Sequence, residues 1–270
     1  MKLRLLKIDA FAERPLTGNP AAIVPLDMWL DDALMQQIAA ENNQSETAFF
    51  VAQGESFGLR WFTPNVEVAL CGHATLAAGD AVFRFLRPKA RVVRFETKSG
   101  TLTVERRDDG LLVMNFPATP PRRNDPAPAA LVKGLGHAPV EAWAGPDHIA
   151  VFENAAIVRA LKPDLAVLET LDLRGVVATA LGEGGVDYVL RFFAPKNAVP
   201  EDPVTGNAQT ALVPYWAKRL GKDRLSVRQL SARGGSMSCA LVGDRIEIAG
   251  RCALYLDGVI ELTPKEFFQA

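Results

Sequence analysis

The sequence repeats itself at a spacing of about half its length, and such a repeat restricts the chain to a duplicated architecture. Residues Leu59–Pro64 read Leu-Arg-Trp-Phe-Thr-Pro, and residues Leu190–Pro195, 131 positions later, read Leu-Arg-Phe-Phe-Ala-Pro. Gly72-His73-Ala74 is then answered by Gly206-Asn207-Ala208 at a spacing of 134. The change in spacing indicates a three-residue insertion in the second copy.

Each copy continues with the same predicted elements. Residues 74–85 and 208–220 are apolar stretches of helical type, too continuous in apolar residues for an exposed helix. Each is followed by a hairpin whose turn contains Asp109-Gly110 or Gly243-Asp244, which supply the positive φ of tight turns. We therefore expect an α+β fold of two similar domains, each a mixed sheet rolled round a central helix, that meet at a cleft.

The domain boundaries follow from proline and capping signals. The segment Pro117–Pro128 is rich in proline, which excludes a helix or a central strand there. We predict a first repeat domain at 1–118, a linker at 119–128 and a second repeat domain at 129–258. A threonine followed by proline at 263 and 264 predicts an N-capped helix within 259–270, which would dock on the first domain.

Composition limits the kind of partner. A hydrophobic content of 49% supports one large core or two ordinary ones, and a net charge of -1 provides no field that would gather nucleic acid or an anionic membrane. Three cysteines without CxxC spacing argue against a disulfide framework or structural zinc, and no metal cluster is apparent. No run reaches the ~18 apolar residues of a membrane span. We expect a cytoplasmic protein that binds a small molecule.

The two repeated glycines are candidate ligand sites. Gly72 and Gly206 precede predicted helices, whose first amide groups and positive dipole end suit a carboxylate or another anion. A single glycine of this kind is equally well explained by packing or turn chemistry. Their pairing by the repeat favours a ligand site in the cleft.

Titratable groups matter most where the two copies differ. Glu46 lies at the mouth of an apolar strand-like run, and the position 131 residues later is Val177. Burial of a glutamate favours its neutral form, as a general acid or base near neutral pH requires. The alternative is a strand-end glutamate that is bonded only to solvent.

His73 and Cys71 flank the first glycine. A helix start disfavours the cationic form of His73 and leaves a neutral imidazole that can relay a proton, whereas a lone histidine is more often structural. Cys71 could act as a thiol activated by the helix end. A two-thiol racemase needs a second cysteine, and the matching position is Thr205.

Asp202 lies in the inserted loop of the second copy, between Glu201 and Pro203. The following proline holds it in a turn, where it could accept a hydrogen bond from a substrate amine or orient His73. An Asx turn that leads into the helix explains the same residue without any function.

Taken together, these motifs resemble the PhzF-like, phenazine biosynthesis-like family of isomerases, which has a diaminopimelate epimerase-like fold. The resemblance covers essentially the whole chain. The matching segments are Phe11–Val24 with Gly18-Asn19-Pro20-Ala21, Gln44–Thr47, Cys71–Thr75 and Glu201–Gly206.

The resemblance implies a homodimer and a cofactor-free, biosynthetic isomerase that shuttles a proton between carbons of a small carboxylate-bearing substrate. It implies that Glu46 is the acid and base and that His73 and Asp202 hold and polarise the substrate. Further contacts to the substrate are expected from a set of small and polar residues: Gly72, Gly206, Asn207, Asn19 and Ser45. No metal ligands are expected.

The chain also departs from the family pattern. Asn207 replaces the serine of the phenazine enzyme, and Gln209 replaces the usual histidine two residues further on, so the substrate remains open. Two other functions also remain open at this point. They are a two-base amino-acid epimerase or racemase, and a non-catalytic metabolite-binding homologue.

Overall fold

The computed structural model describes residues 1–197 and 199–263, and the chain forms two compact units. The first unit is Met1–Met114 with the segment from Gly250 onward, and the second is Asn115–Ala249. The elements of the first unit are β1 (Lys2–Ala10), β2 (Asn19–Leu26), α1 (Asp32–Asn42), β3 (Thr47–Gln53), β4 (Ser56–Phe62), β5 (Glu67–Val68), α2 (Gly72–Ala81) with a π-helical turn (Val82–Leu86), β6 (Val92–Thr97), β7 (Gly100–Arg106) and β17 (Cys252–Glu261).

The strand β8 (Leu112–Pro117) begins in the first unit and ends in the second, and β16 ends at the first residue of the returning segment. The remaining elements are β9 (Arg122–Arg123), α3 (Ala129–Leu135), β10 (Glu141–Ala144), β11 (His148–Val151), α4 (Ala155–Ala160), α5 (Leu165–Glu169), β12 (Val176–Leu181), β13 (Tyr188–Phe193), a 3-10 turn (Pro195–Asn197), α6 (Gln209–Leu220), β14 (Arg224–Gln229), β15 (Gly235–Val242) and β16 (Arg245–Gly250).

The first unit contains a mixed sheet with a regular order of pairings. β1 and β2 are antiparallel, β2 and β3 parallel, β3 and β4 antiparallel, and β4 and β6 parallel. β6 with β7 and β7 with β8 are antiparallel, and β17 pairs antiparallel with β1.

The second unit repeats this order strand for strand. β10 and β11 are antiparallel, β11 and β12 parallel, β12 and β13 antiparallel, and β13 and β14 parallel. β14 with β15 and β15 with β16 are antiparallel, and the short β9 pairs with β10 as β17 pairs with β1. The predicted α+β fold with two duplicated mixed sheets is confirmed.

A buried helix connects the corresponding parallel strands of each unit. Parallel strands need such a crossover, and α2 joins β4 to β6 while α6 joins β13 to β14. Residues 73–81 of α2 are all buried, and Gly79 comes so close to β7 that an added Cβ would lie 2.8 Å from a Val104 methyl carbon. In α6, Trp216 stacks on Tyr188 of β13 and donates a hydrogen bond to Thr179 of β12. Both predicted buried helices are confirmed.

A duplicated ion pair secures the loop before each helix. Arg60 of β4 donates two hydrogen bonds to Glu67, at 2.8 and 2.9 Å, and Arg191 of β13 donates two to Glu201, at 2.7 and 2.9 Å. Arg191 follows Arg60 by 131 residues and Glu201 follows Glu67 by 134 residues, which are the two spacings of the repeat. Two parallel bonds from a planar guanidinium fix the carboxylate in position as well as in distance. Each pair therefore holds the loop that leads to a helix start.

The unit boundaries differ from the predicted domains. Residues 119–128, predicted as a linker, lie within the second unit, where β9 pairs with β10 and the Thr119 amide donates to the Thr210 carbonyl. A pairing of only two residues tolerates the nearby prolines because it needs few backbone amides as hydrogen-bond donors. Residues 250–258, predicted as second-domain residues, belong to the first unit because β17 pairs with β1 over its length.

The predicted C-terminal helix at 259–270 is not helical in its described part. Residues 259–261 are the end of β17, and Glu261 pairs with Lys2. Residues 264–270 lie outside the described residues.

Within residues 1–197 and 199–263, none of the helices combines the length and apolar character needed to cross a membrane. The longest of these helices, α6, has 12 residues.

Candidate active site

Glu46 is held at the entrance of β3 by the neighbouring strand. The Ala22 amide of β2 donates a hydrogen bond to the Glu46 carbonyl at 3.2 Å, which continues the parallel pairing of β2 with β3 by one residue. The side chain is 19% exposed, and its Oε2 atom is buried with no aligned hydrogen-bond donor among the described residues. A buried carboxylate oxygen without a donor is costly, so contact with a ligand would stabilise this atom.

His73 lies beside this carboxylate in the first turn of α2. Its Nε2 atom is 3.2 Å from Glu46 Oε2, within ion-pair distance but too poorly aligned for a hydrogen bond. Ser45 Oγ lies 3.4 Å from the same nitrogen and 3.4 Å from the Pro20 carbonyl. His73 is 8% exposed and lies in the first turn of α2, close to the free amides of the helix start.

Cys71 completes the cluster from the N-cap position of α2. Its Sγ atom lies 3.6 Å from His73 Nδ1, and its carbonyl accepts a hydrogen bond from the Thr75 hydroxyl at 2.5 Å. One donor atom each from Glu46, Cys71 and His73 lies within 4.8 Å of the other two. The sequence predicts no metal ligands, yet the fold brings an oxygen, a sulfur and a nitrogen donor together.

Asn19 is fully buried at the start of β2, the strand that pairs with β3. The preceding Gly18 has a φ of +69°, and an added Cβ would lie 2.2 Å from the Ala10 carbonyl oxygen. Glycine is therefore required at position 18, which explains the Thr-Gly-Asn phrase there as a close backbone approach. Whether Asn19 and Ser45 contact a substrate stays a prediction.

In the second unit, Asp202 lies in a braced loop. Its Oδ2 atom accepts a hydrogen bond from the Thr205 hydroxyl at 2.5 Å, and its amide donates to the Phe192 carbonyl at 3.0 Å. The Gln229 amide nitrogen donates to the Asp202 carbonyl at 2.7 Å. These bonds hold Asp202 in the loop that leads to α6 through both its backbone and its carboxylate.

Two buried glutamines connect this loop to the sheet and to α6. Gln229 of β14 also accepts from the Thr205 amide at 2.8 Å, and Gln209 donates to the Thr205 carbonyl at 3.1 Å. Tyr188 donates to Gln209 Oε1 at 2.6 Å, and burial raises the pKa of its hydroxyl well above the ordinary value, so it stays a neutral donor. Sequence reasoning missed Gln229 and Tyr188. The replacement of the family's usual histidine by Gln209 was the one sign of a changed network there.

Gly206 and Asn207 do not open the helix as predicted. They form a turn in which their carbonyls accept from the Gln209 and Thr210 amides, and α6 begins only at Gln209. Gly206 is buried and Asn207 is half-buried. This turn therefore stands in the second copy where α2 has its first helical turn, which begins at Gly72.

The position in the second unit that corresponds to Glu46 is Gly175, and the prediction of Val177 is wrong. In the first unit Thr47 pairs with Phe62, and in the second Val176 pairs with Phe193, so the residues before them correspond. The His148 amide donates to the Gly175 carbonyl at 2.9 Å, as Ala22 does to Glu46. A longer loop between β12 and β13 shifts the sequence register by two residues.

The structure thus brings Glu46, His73, Ser45 and Cys71 together in the first unit. It brings Asp202 close to Thr205, two residues before the turn at Asn207, in the second unit. The cleft that the sequence analysis expects stays a prediction.

Comparison with solved structures places the chain in a class of folds. A hydroxyproline epimerase from Agrobacterium vitis superposes with a TM-score of 0.65 at 12% identity, over 96% of this chain and 91% of that one. This likeness concerns the fold alone. The duplicated sheets and buried helices are those of the diaminopimelate epimerase-like proteins.

More similar proteins identify the family. The family of phenazine biosynthesis-like proteins, PhzC-PhzF, matches residues 8–258. Two uncharacterized isomerases of Pseudomonas aeruginosa are each 48% identical over 97% of this chain and 100% of theirs. A PhzF-family crystal structure from Enterococcus faecalis is 41% identical, with a TM-score of 0.94 over 97% of this chain and 100% of that one. The chain belongs to the phenazine biosynthesis-like family.

Proposed function

We propose that the protein is a cofactor-independent isomerase in which Glu46 carries a proton between two carbons of a small carboxylate-bearing substrate. The observation that carries the proposal is the buried Glu46 Oε2, which has no aligned donor among the described residues and lies 3.2 Å from His73 Nε2. The names of the two Pseudomonas relatives, which are called isomerases, support the same reaction class.

Each proposed group has a chemical role. The Glu46 carboxylate removes a proton from one carbon, the bonding electrons shift into the adjacent unsaturated system, and the carboxylic acid returns the proton to another carbon. His73, as a neutral imidazole, holds the polar end of the substrate and stabilises the charge that develops there. The amides at the start of α2, beginning with Gly72, favour a substrate carboxylate.

We propose supporting roles for the second unit and for the remaining polar residues. Asp202 polarises the substrate, and Gly206 and Asn207 contact it, as the family resemblance implies. Asn19 and Ser45 shape the neighbourhood of Glu46. A homodimer and a cytoplasmic location also stay predictions, and light scattering on the purified protein measures the first of these.

The test is proton exchange in deuterated water. A panel of small unsaturated and amino-substituted carboxylates is incubated with the protein, and deuterium incorporation is followed by NMR. Glu46→Gln should lower exchange by about 10²–10⁴-fold. The matched control is Glu41→Gln, which changes an exposed glutamate of α1 in the same unit and should leave exchange unchanged. Wild-type rates in Glu46→Gln would overturn the role of Glu46, and no exchange with any member of the panel would contradict the substrate class.

A second candidate is a racemase that uses the Cys71 thiol. The 3.6 Å distance from Cys71 Sγ to His73 Nδ1 favours it, because a neighbouring imidazole can deprotonate a thiol. The matching residue of the repeat is Thr205, so a second thiol is missing. Cys71→Ala should keep exchange if the Glu46 reaction is correct and abolish it if the thiol is the base. A non-catalytic role is disfavoured by the burial of Glu46, since a remnant would have no reason to bury an unsatisfied carboxylate.

A further inference from the structure

We propose that Glu46, Cys71 and His73 form a binding site for a thiophilic divalent ion, with Zn²⁺ as the natural candidate. The three side chains offer a carboxylate oxygen, a thiolate sulfur and an imidazole nitrogen, all of which are zinc ligands. Their donor atoms lie within 4.8 Å of one another. Zinc sites that remain accessible to water or substrate use three protein ligands, the number that this cluster offers.

Two distances within the cluster fall in the range found between ligands of one zinc ion, each through a different nitrogen of His73. Zinc bonds of about 2.0–2.2 Å to nitrogen or oxygen and about 2.3 Å to sulfur give ligand-to-ligand distances of roughly 3.2–3.8 Å in a tetrahedron. The Glu46 Oε2 to His73 Nε2 distance is 3.2 Å, and the Cys71 Sγ to His73 Nδ1 distance is 3.6 Å. Because these two contacts use different ring nitrogens, binding requires rotation of the imidazole or of the thiol, each about its own single bonds.

Burial gives a second and independent reason for a ligand. Glu46 Oε2 is buried without an aligned donor in the described part of the chain, which is a cost that a bound cation would remove. Cys71 is 6% exposed and His73 is 8% exposed, while the Glu46 side chain, at 19%, leaves access for the ion and for a water ligand. The charge also balances, because a thiolate and a carboxylate together neutralise a divalent ion.

The ligands are anchored on regular structure. Cys71 and His73 belong to the N-terminal turn of α2, where Thr75 bonds the Cys71 carbonyl. Glu46 is held by the Ala22 amide of β2. Sites built on helices and strands keep their ligand spacing better than sites on loops.

Occupation of this site would stop the proposed isomerisation. The ion would take the carboxylate oxygen and the imidazole that the reaction needs, so zinc would act as a reversible inhibitor that a chelator relieves. This consequence rests on the proposed function, whereas the binding site itself does not. Binding replaces the Cys71 S–H bond by an S–metal bond and releases about one proton per ion to the buffer.

The first test uses Co²⁺ as a spectroscopic probe of the purified full chain. We expect one ion per chain, a thiolate-to-cobalt charge-transfer band in the near ultraviolet, and its disappearance when Zn²⁺ is added. Cys71→Ala should abolish the band, while Cys239→Ala and Cys252→Ala, the matched controls at the other two cysteines, should keep it. Glu46→Gln should keep the band but weaken affinity by more than about tenfold. Cobalt binding without this band, or a band that survives in Cys71→Ala, would overturn the site.

The second test separates the metal site from the proposed reaction. Exchange by the wild type, by Cys239→Ala and by Cys252→Ala should fall on addition of one equivalent of Zn²⁺ and return with EDTA, and the exchange that Cys71→Ala retains should be much less sensitive to zinc. Circular dichroism checks that each variant is folded. If Glu46→Gln retains exchange while the cobalt band is present, the proposed function fails and the metal site stands. If no cobalt band forms while Glu46→Gln is inactive, the metal site fails and the proposed function stands.

Discussion

The loops that lead into α2 and α6 arise from one duplicated frame but satisfy their polar groups in opposite ways. Both follow a strand whose arginine holds a glutamate by two hydrogen bonds, Arg60 with Glu67 and Arg191 with Glu201. The first loop ends beside the Glu46 carboxylate, whose Oε2 lacks an aligned donor within residues 1–197 and 199–263. In the second loop the Thr205 backbone and hydroxyl groups are all bonded, through Gln229, Gln209 and Asp202.

The comparison shows that two copies of one scaffold can differ in how fully their loops are hydrogen-bonded. A reactive carboxylate needs an incompletely satisfied environment, and such an environment destabilises the fold locally. A loop that only positions groups gains from complete hydrogen bonding. The two copies keep the same strand order but differ, within the described residues, in how completely the polar groups beside the helix start are bonded.

The largest expected effect comes from making the first loop resemble the second. His73→Asn introduces the residue of the second copy at the helix start and removes the imidazole next to Glu46. We expect deuterium exchange to fall by about 10²–10⁴-fold, since a positioned acid–base partner contributes that much. The control is His137→Asn at an exposed histidine of the second unit, which should be unchanged. A fall of less than about threefold, which is far smaller than expected, would show that His73 has only a packing role.

The next effect tests the bonded network of the second loop. Gln229→Leu keeps much of the side-chain volume but removes the partners of the Asp202 carbonyl, the Thr205 amide and the Thr205 hydroxyl. Because buried groups left without partners cost about 1–3 kcal/mol each, we expect a loss of roughly 2–4 kcal/mol in the free energy of unfolding, measured with urea. Gln53→Leu, at an exposed strand end, should change it by less than about 0.5 kcal/mol. Equal losses in both variants would refute the network.

A smaller effect should follow from adding a single methyl group at the counterpart of Glu46. An added Cβ at Gly175 would lie 2.6 Å from Phe192 Cζ and 3.0 Å from the Phe193 carbonyl oxygen. Gly175→Ala should therefore destabilise the protein by about 1–3 kcal/mol. Gly145→Ala is the matched control, because its Cβ would meet no atom closer than 3.6 Å. If Gly175→Ala left the free energy of unfolding unchanged, the second unit would have room for a side chain at this position.

The smallest effect concerns the duplicated ion pairs. Hydrogen bonding from Arg60 and, to a lesser extent, from Lys98 lowers the pKa of Glu67 from its ordinary 4.5. A lowered pKa means that the pair stabilises the fold above pH 4.5 and that this contribution is lost as the pH falls through the lowered value. Glu67→Gln should cost about 1 kcal/mol at neutral pH, and the difference from wild type should shrink in acid. Urea unfolding of both proteins at a series of pH values measures this difference in the free energy of unfolding. A difference that grows in acid would contradict the stabilising role of the Arg60–Glu67 pair.

The sequence predicted that Glu46 and His73 belong to one candidate site, and the structure places their side chains 3.2 Å apart, but the register of the second copy was not predictable. Glu46, His73 and Asp202 stand out because they occupy positions where the two copies differ. The counterpart of Glu46 was mistaken for Val177, because loop lengths between strands change without a sequence mark and only strand pairing reveals Gly175. The roles of Gln229 and Tyr188 were hidden for a related reason, since their partners are 24 and 21 residues away.

The sequence alone determined the duplication, the buried helices, the two hairpins and the family, because these depend on spacing, apolar periodicity and turn chemistry along the chain. Tertiary structure alone decided that the segment after Gly250 returns to the first unit as β17, since strand pairing is a contact between distant residues. It also decided that Cys71, His73 and Glu46 meet as three donors. Proximity between residues 25 or more positions apart depends on how the sheet places its strands around the helix, which no local pattern encodes.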